Sequence, residues 1–106
     1  MANGVLGTAD LTATTLTTVY TVPANTFAVV SVNVCNRSSA DVTVRIATSA
    51  TATPTNAEYI EYDVTLVGNG AVERTGVVLQ TGQNVVVYGS TGDISAQVFG
   101  LETSTV

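Results

Sequence analysis

The sequence contains no histidine, no lysine and no tryptophan, and its only cysteine is Cys35. Without histidine and with one thiol, the chain cannot build a Ser-His-Asp or Cys-His nucleophile, an imidazole metal site or an intrachain disulfide. Without lysine it can form neither a Schiff base nor the lysine contact of a P-loop. These absences predict a protein that is not an enzyme and that needs no cofactor. Cys35 lies in an apolar run, so we expect it to be a small buried hydrophobe.

Charge is also scarce, since only 10% of the residues are charged and the net charge is −5. The basic residues are Arg37, Arg45 and Arg74 alone, too few for a surface that binds nucleic acid. A surface with so few charges favours coverage by neighbouring subunits. The alternative is a threonine- and serine-rich surface that hydrates without charge.

Three carboxylates, Glu58, Glu61 and Asp63, are close enough in sequence to be tested as an acid/base pair. Glu61 and Asp63 are expected to share one strand face, roughly 7 Å apart by the strand rise. A glycosidase would also need a cleft and aromatic platforms, so a solvated surface is the favoured interpretation. No loop has the dense Asp/Asn spacing of a dedicated calcium site, and no metal site is predicted.

Long apolar runs are missing as well, because no stretch approaches the roughly 18 residues that span a bilayer. The start, Met1-Ala2-Asn3-Gly4, has no basic segment followed by an apolar one and so does not resemble a secretion signal. We therefore expect no membrane partner, and a protein made and assembled in the cytoplasm.

The sequence does contain a side-chain alternation of period two along most of its length, which is typical of β-strands. Turn signals recur every 8–12 residues or so, and no segment has a convincing helical period. The pattern predicts an all-β fold, an antiparallel β-sandwich of about seven or eight strands, either jelly-roll or immunoglobulin-like. Residues 16–101 form the predicted sandwich, residues 1–15 an N-terminal arm or short edge strand, and residues 102–106 a C-terminal tail.

The segment from Phe27 to Cys35 reads as a central strand, since apolar side chains occupy much of both of its faces. We expect both faces to be at least partly covered. Gly68-Asn69-Gly70 has the chemistry of a tight turn, and Gly76 marks a predicted bulge in the next strand. Residues 47–56 form a predicted long exposed loop.

Contact residues can be predicted from side-chain type and position. Tyr59 is either an interface anchor or part of the rim, whereas Tyr62, on the opposite face of the same strand, is expected in the core. Arg45 lies mid-strand and is expected to pair with a carboxylate of a neighbouring strand or subunit. The full set of predicted interface residues is Tyr59, Arg45, Arg37, Thr53 and Pro54.

One stretch carries a family resemblance. Val19-Tyr20-Thr21-Val22-Pro23-Ala24-Asn25-Thr26, followed by an apolar strand that ends Val34-Cys35-Asn36, resembles a "Y-T-V-P-A-x-T" opening and "V-C-N" strand of small β-sandwich structural proteins of tailed bacteriophages. Glu58 to Asp63 and the hairpin from Gly68 to Leu79 fit the same pattern. The likeness spans roughly residues 16–100.

The resemblance implies a protein of the virion, most simply a head decoration (cement) protein that stabilises the shell through protein–protein contacts. A neck, tail or fibre module, with or without contact to the host surface, is the alternative. It implies the major capsid protein or another virion protein as partner, and by analogy a homo-oligomer such as a trimer. It carries over no catalytic residue.

Overall fold

A computed structural model describes residues 2–106, and its strands form two four-stranded antiparallel sheets. The strands are β1 (Asn3–Asp10), β2 (Thr17–Thr21), β3 (Thr26–Asn36), β4 (Val42–Ser49), β5 (Tyr59–Leu66), β6 (Ala71–Leu79), β7 (Asn84–Gly89) and β8 (Ile94–Ser104). Sheet A has the order β1-β8-β3-β6, and sheet B has the order β2-β7-β4-β5. The prediction of an all-β antiparallel sandwich is confirmed.

The pairing of the strands is nested around the middle of the chain. β4 pairs with β5, β3 with β6, β2 with β7 and β1 with β8. A long hairpin folded in this way and rolled into two facing sheets is the eight-stranded jelly roll. Of the two topologies that the sequence leaves open, the structure therefore has the jelly roll.

The core lies between the sheets and consists mainly of β-branched side chains. Alternation along β3 sends Ala28, Val30, Val32 and Val34 inward, each at most 2% exposed. Val44 and Ile46 of β4 and Val85 and Val87 of β7 meet them from the other sheet. Stiff branched side chains suit a pleated surface, which explains why valine dominates both layers. Among residues 2–106, every buried side-chain nitrogen or oxygen has a hydrogen-bond partner.

Asn36 ties the two sheets together at one end of the sandwich. Its side chain is fully buried and donates hydrogen bonds to the carbonyl oxygens of Ala40, Leu66 and Val67. Its amide oxygen accepts from the backbone and hydroxyl groups of Ser38. One amide therefore fixes the β3–β4 loop of residues 37–41 against the β5–β6 turn.

Two local predictions are confirmed. Residues 67–70 form a tight turn, with Asn69 at φ 60° and the Gly70 N–H donating to the Val67 carbonyl. Gly76 has φ 66° and lies where the β3–β6 register shifts, so it does mark a bulge.

Other boundaries differ from the predicted ones. β4 continues through Ser49, so the exposed loop begins at Ala50 and ends in a single 3-10 turn, Asn56–Glu58. Residues 1–15 were predicted to form an arm or a short edge strand. Within them, Asn3–Asp10 form an eight-residue edge strand. Met1 lies outside the described residues. The predicted tail of residues 102–106 continues β8 as far as Ser104.

Cys35 was expected in the core, and that expectation is wrong. Because it follows the inward-facing Val34, the alternation turns it to the outer face of sheet A, where it is half-buried beside Ser95 and Ala71. Across residues 2–106, no helix has the length and apolar character needed to cross a membrane.

Candidate interaction surfaces

The outer face of sheet A carries an apolar patch that crosses all four strands. Register places Val5 of β1 beside Phe99 of β8, and Leu101 of β8 beside Val29 of β3. Val29 is in turn paired with Val78 of β6. The apolar patch consists of Val5, Phe27, Val29, Val78, Phe99 and Leu101.

Five of these six side chains are exposed, and Phe99 is half-buried. Val78, Val5 and Leu101 are 68%, 63% and 57% exposed, and Val29 and Phe27 about 40%. None of the six is charged. Scattered exposed apolar residues are normal, whereas a contiguous set of them on one sheet face is typical of a surface that binds another molecule. The prediction that both faces of β3 are at least partly covered is confirmed, since Phe27 and Val29, the most open residues of its outer face, are 38% and 40% exposed.

One edge of sheet A, the strand β6, is better protected than the face of the sheet. Edge strand β6 contains the Gly76 bulge and the charged residues Glu73 and Arg74, two devices that discourage strand-to-strand association. Arg74 also donates to Glu61 of β5 across the open side of the sandwich, at 3.2 Å. The apolar patch is therefore available for face-to-face packing, while the neighbouring edge resists the addition of a strand.

The outer face of sheet B has a different character. Its central feature is Arg45 of β4, whose guanidinium lies 4.2 Å from the Tyr62 ring centre and 4.6 Å from that of Tyr88. Arg45 Nε and Nη2 donate to the two carboxylate oxygens of Asp63 at 2.6 and 3.2 Å. Tyr59 and Tyr62 meet edge to face, with ring centres 5.0 Å apart. We call Arg45, Tyr59, Tyr62, Asp63 and Tyr88 the tyrosine–arginine cluster.

The ion pair in the cluster shifts both of its partners toward the charged form. Hydrogen bonding to Asp63 raises the pKa of Arg45 above its already high value. The same hydrogen bonds lower the pKa of the Asp63 carboxyl below its ordinary range. At neutral pH the pair is therefore fully ionised and its two charges cancel.

A bulge in β5 places Tyr62 in this cluster, contrary to the prediction that it lies in the core. Asp63 has φ 52°, and between the pairs Val44–Val64 and Ile46–Glu61 two β5 residues lie opposite one β4 residue. The extra residue reverses the alternation, so Tyr62 is 56% exposed. A second register shift, between the pairs Ile46–Glu61 and Ala47–Tyr59, accompanies the contact of Tyr59 with Tyr62 on the same face. Glu61 and Asp63 do not share a face either, because they bind Arg74 and Arg45 respectively.

A surface depression of about 410 Å³ lies beside the cluster and is lined by Asn56, Tyr59 and Tyr62. The segment that carries Asn56 is fixed by Glu58, whose carboxylate accepts hydrogen bonds from the Thr55 N–H at 2.8 Å and the Ser49 hydroxyl at 2.9 Å. The Ala50 N–H adds a third bond. The backbone hydrogen bond from Thr55, with the Ser49 hydroxyl next, lowers the pKa of Glu58. Glu58 thus links the beginning of the loop of residues 50–58 to its end.

The predicted interface residues are distributed over three places. Tyr59 and Arg45 come together in the tyrosine–arginine cluster, where Arg45 has the carboxylate partner on a neighbouring strand that its position suggested. Arg37 lies in the β3–β4 loop and forms an exposed ion pair with Asp10 of β1. Thr53 is exposed and Pro54 half-buried in the loop after β4, outside the lining of the depression.

The sequence analysis did not predict the apolar patch, apart from the apolar second face of β3.

No group of three or more Cys, Asp or Glu side chains in residues 2–106 is arranged to hold a metal ion. Comparison of the chain with protein-family models, with curated proteins and with solved structures finds no match.

Proposed function

We propose that this chain is a structural protein of a bacteriophage particle, most simply a decoration protein that binds the head shell and stabilises it. In this proposal the apolar patch is the docking surface and the partner is the major capsid protein or another virion protein. The protein catalyses no reaction, uses no cofactor and contacts neither nucleic acid nor membrane. It assembles in the host cytoplasm and stays in the virion as a homo-oligomer.

The observation that carries the proposal is the uncovered apolar patch on sheet A. Five of its six side chains are at least 38% exposed, and burial of apolar surface is the main favourable term in protein association. The resemblance of residues 16–100 to small phage structural proteins supplies the identity of the particle. The jelly roll agrees with both, since this architecture occurs in viral capsid domains, although fold alone implies no function.

The shell would be stabilised by the contact area of each bound copy and by the large number of copies. The molecule measures 46 × 27 × 20 Å, so its broad face has room for the roughly 800 Å² that each partner contributes to an ordinary stable interface. Many copies, each touching more than one shell subunit, gain further through effective concentration. A patch without charge also lets this acidic chain approach a partner without a local electrostatic penalty.

The test is the copy number of the chain in purified particles of the virus that encodes it. Quantitative mass spectrometry against the major shell protein is expected to give a copy number of the same order as that protein. A dozen copies or fewer would overturn decoration and favour the neck, tail or fibre alternative. Complete absence from washed particles would overturn the virion assignment itself.

A further inference from the structure

The depression beside the tyrosine–arginine cluster has a chemistry that the docking role of sheet A does not use. It lies on the opposite sheet from the apolar patch, and its three lining side chains combine two aromatic rings with one amide. Its volume of about 410 Å³ falls within the roughly 300–1,000 Å³ of typical small-ligand sites. We infer that this depression binds one or two residues of an uncharged saccharide.

Contacts within the chain hold the aromatic wall of the depression in place. Asp63 adopts a left-handed backbone conformation, and its carboxylate holds Arg45 with two hydrogen bonds. Arg45 in turn stacks against Tyr62. Bulges and backbone outliers often serve to re-aim a side chain at a binding site. Here the outlier turns a tyrosine out of the core alternation and holds it in water with 56% of its surface exposed.

The residues that line the depression are chemically complementary to a sugar ring. A pyranose has an apolar C–H face and a rim of hydroxyls. The planes of Tyr59 and Tyr62 stand at 83° to each other, so they offer a ring face and a ring edge within one corner. Two phenol hydroxyls and the Asn56 amide supply both donors and acceptors for sugar hydroxyls.

Electrostatics disfavours charged ligands at this site. The guanidinium of Arg45 already lies over the Tyr62 ring, 4.2 Å from its centre, so that ring face is not free for a second cation. Asp63 has already neutralised Arg45, and the chain has a net charge of −5, so an anionic group finds no free positive partner. A proline-rich peptide would need an elongated aromatic groove, whereas the lining here is a single depression between two rings.

The test uses the isotope-labelled full chain and a panel of uncharged trisaccharides of glucose, galactose and N-acetylglucosamine. We expect at least one of them to shift amide resonances of residues 56–62 in a saturable way. It should also change tyrosine fluorescence, which is measurable because the chain has no tryptophan. Tyr62→Ala should weaken that binding at least about tenfold, which corresponds to the loss of one good contact.

Four further variants separate binding from folding. Tyr62→Phe keeps the ring and should retain most of the affinity, and Asn56→Ala should weaken binding without touching a strand. Val78→Ala, on the outer face of sheet A, is the matched control and should bind the saccharide like the parent chain. Val29→Asp should lose docking to the particle and keep the saccharide, so this inference and the docking proposal can fail independently.

Several results would overturn the inference. One is the absence of any saturable shift with all the uncharged saccharides. Another is a proline-rich peptide that shifts the same amides while no saccharide does. Undiminished binding by a folded Tyr62→Ala chain would exclude the depression as the site.

Discussion

The outer faces of the two sheets are both exposed, yet they are constructed in opposite ways. Sheet A presents apolar side chains without one ion pair or polar tie among them, whereas sheet B presents tyrosines held by an arginine and a carboxylate. The first surface gains only when another molecule covers it. In the second, the two charges are already paired with each other, because Arg45 binds Asp63. Exposure alone therefore does not identify a docking surface. The polar groups beside an exposed ring or branched side chain also determine whether that side chain is free to bind another protein.

The largest expected effect comes from placing the same charge on two consecutive residues of β3, one in the core and one on the outer face of sheet A. Val30 is 2% exposed and Val29 is 40% exposed. Val30→Asp would bury a carboxylate without a cation, at a cost of several kcal/mol, against a typical total stability of only about 5–15 kcal/mol. We expect that variant to be unfolded by circular dichroism. Val29→Asp should stay folded, with its free energy of unfolding changed by less than about 1 kcal/mol.

The same pair tests docking. Val29→Asp should fail to co-sediment with particles that lack the native protein, because a carboxylate in the patch would lose its water on docking. Val67→Asp, at a residue that is 62% exposed in the β5–β6 turn, is the control and should bind. If Val29→Asp unfolds in urea as early as Val30→Asp, the outer face of sheet A belongs to the core and the comparison fails.

A second experiment concerns how sheet B holds Tyr62 outward. Asp63→Asn and Asp63→Ala both remove the charge that binds Arg45, but asparagine tolerates the left-handed conformation and alanine does not. We expect both to melt below the parent chain, with Asp63→Ala roughly 5 °C below Asp63→Asn. Calorimetry measures the melting temperatures. Equal values for the two variants would mean that the backbone of the bulge does not contribute to placing Tyr62.

The smallest expected effect is a difference between the two faces in how they respond to pH and salt. Asp63 and Glu58 have folded-state pKa values below their ordinary 3.8 and 4.5, through hydrogen bonds from Arg45 and from the Thr55 N–H respectively. Their stabilising contribution is therefore complete above those ordinary values and is lost as the pH falls through the lower, folded-state values. Amide resonances of residues 50–63 should report this loosening in acid before the core unfolds.

The apolar patch contains no titratable side chain, and the chain has no histidine to titrate between about pH 5 and 8. Docking through it should be constant over that range and should change little between about 0.1 and 1 M salt, conditions that screen exposed charges strongly. A steep loss of docking with salt would point to an ionic interface and away from sheet A.

Two bulges show how far the sequence could predict the surface. The one at Gly76 was predictable because glycine is the residue that reaches positive φ without steric cost. The one at Asp63 gave no comparable signal, since an aspartate in an alternating strand reads as an ordinary solvent-facing residue. The error at Tyr62 followed directly, because one extra residue exchanges the two faces of a strand.

The apolar patch shows a second limit. The sequence shows that β3 has apolar residues on both faces, and Phe27 and Val29 are the large ones on its second face. Val5, Val78 and Leu101 join them only through the register of β1, β6 and β8, which no local pattern specifies. The layers and most strands of the fold follow from alternation, whereas the surface depends on which strands become neighbours.

The position of β8 also governs when this molecule can take shape. The last strand of the jelly roll lies between β1 and β3, so the first strand has no hydrogen-bonded neighbour until residues 94–104 have left the ribosome. Synthesis runs at about 5–20 residues per second, and pairing between distant segments is slow. Phe99 and Leu101 arrive on that same strand. The apolar patch therefore cannot be complete before β8 has paired with both β1 and β3.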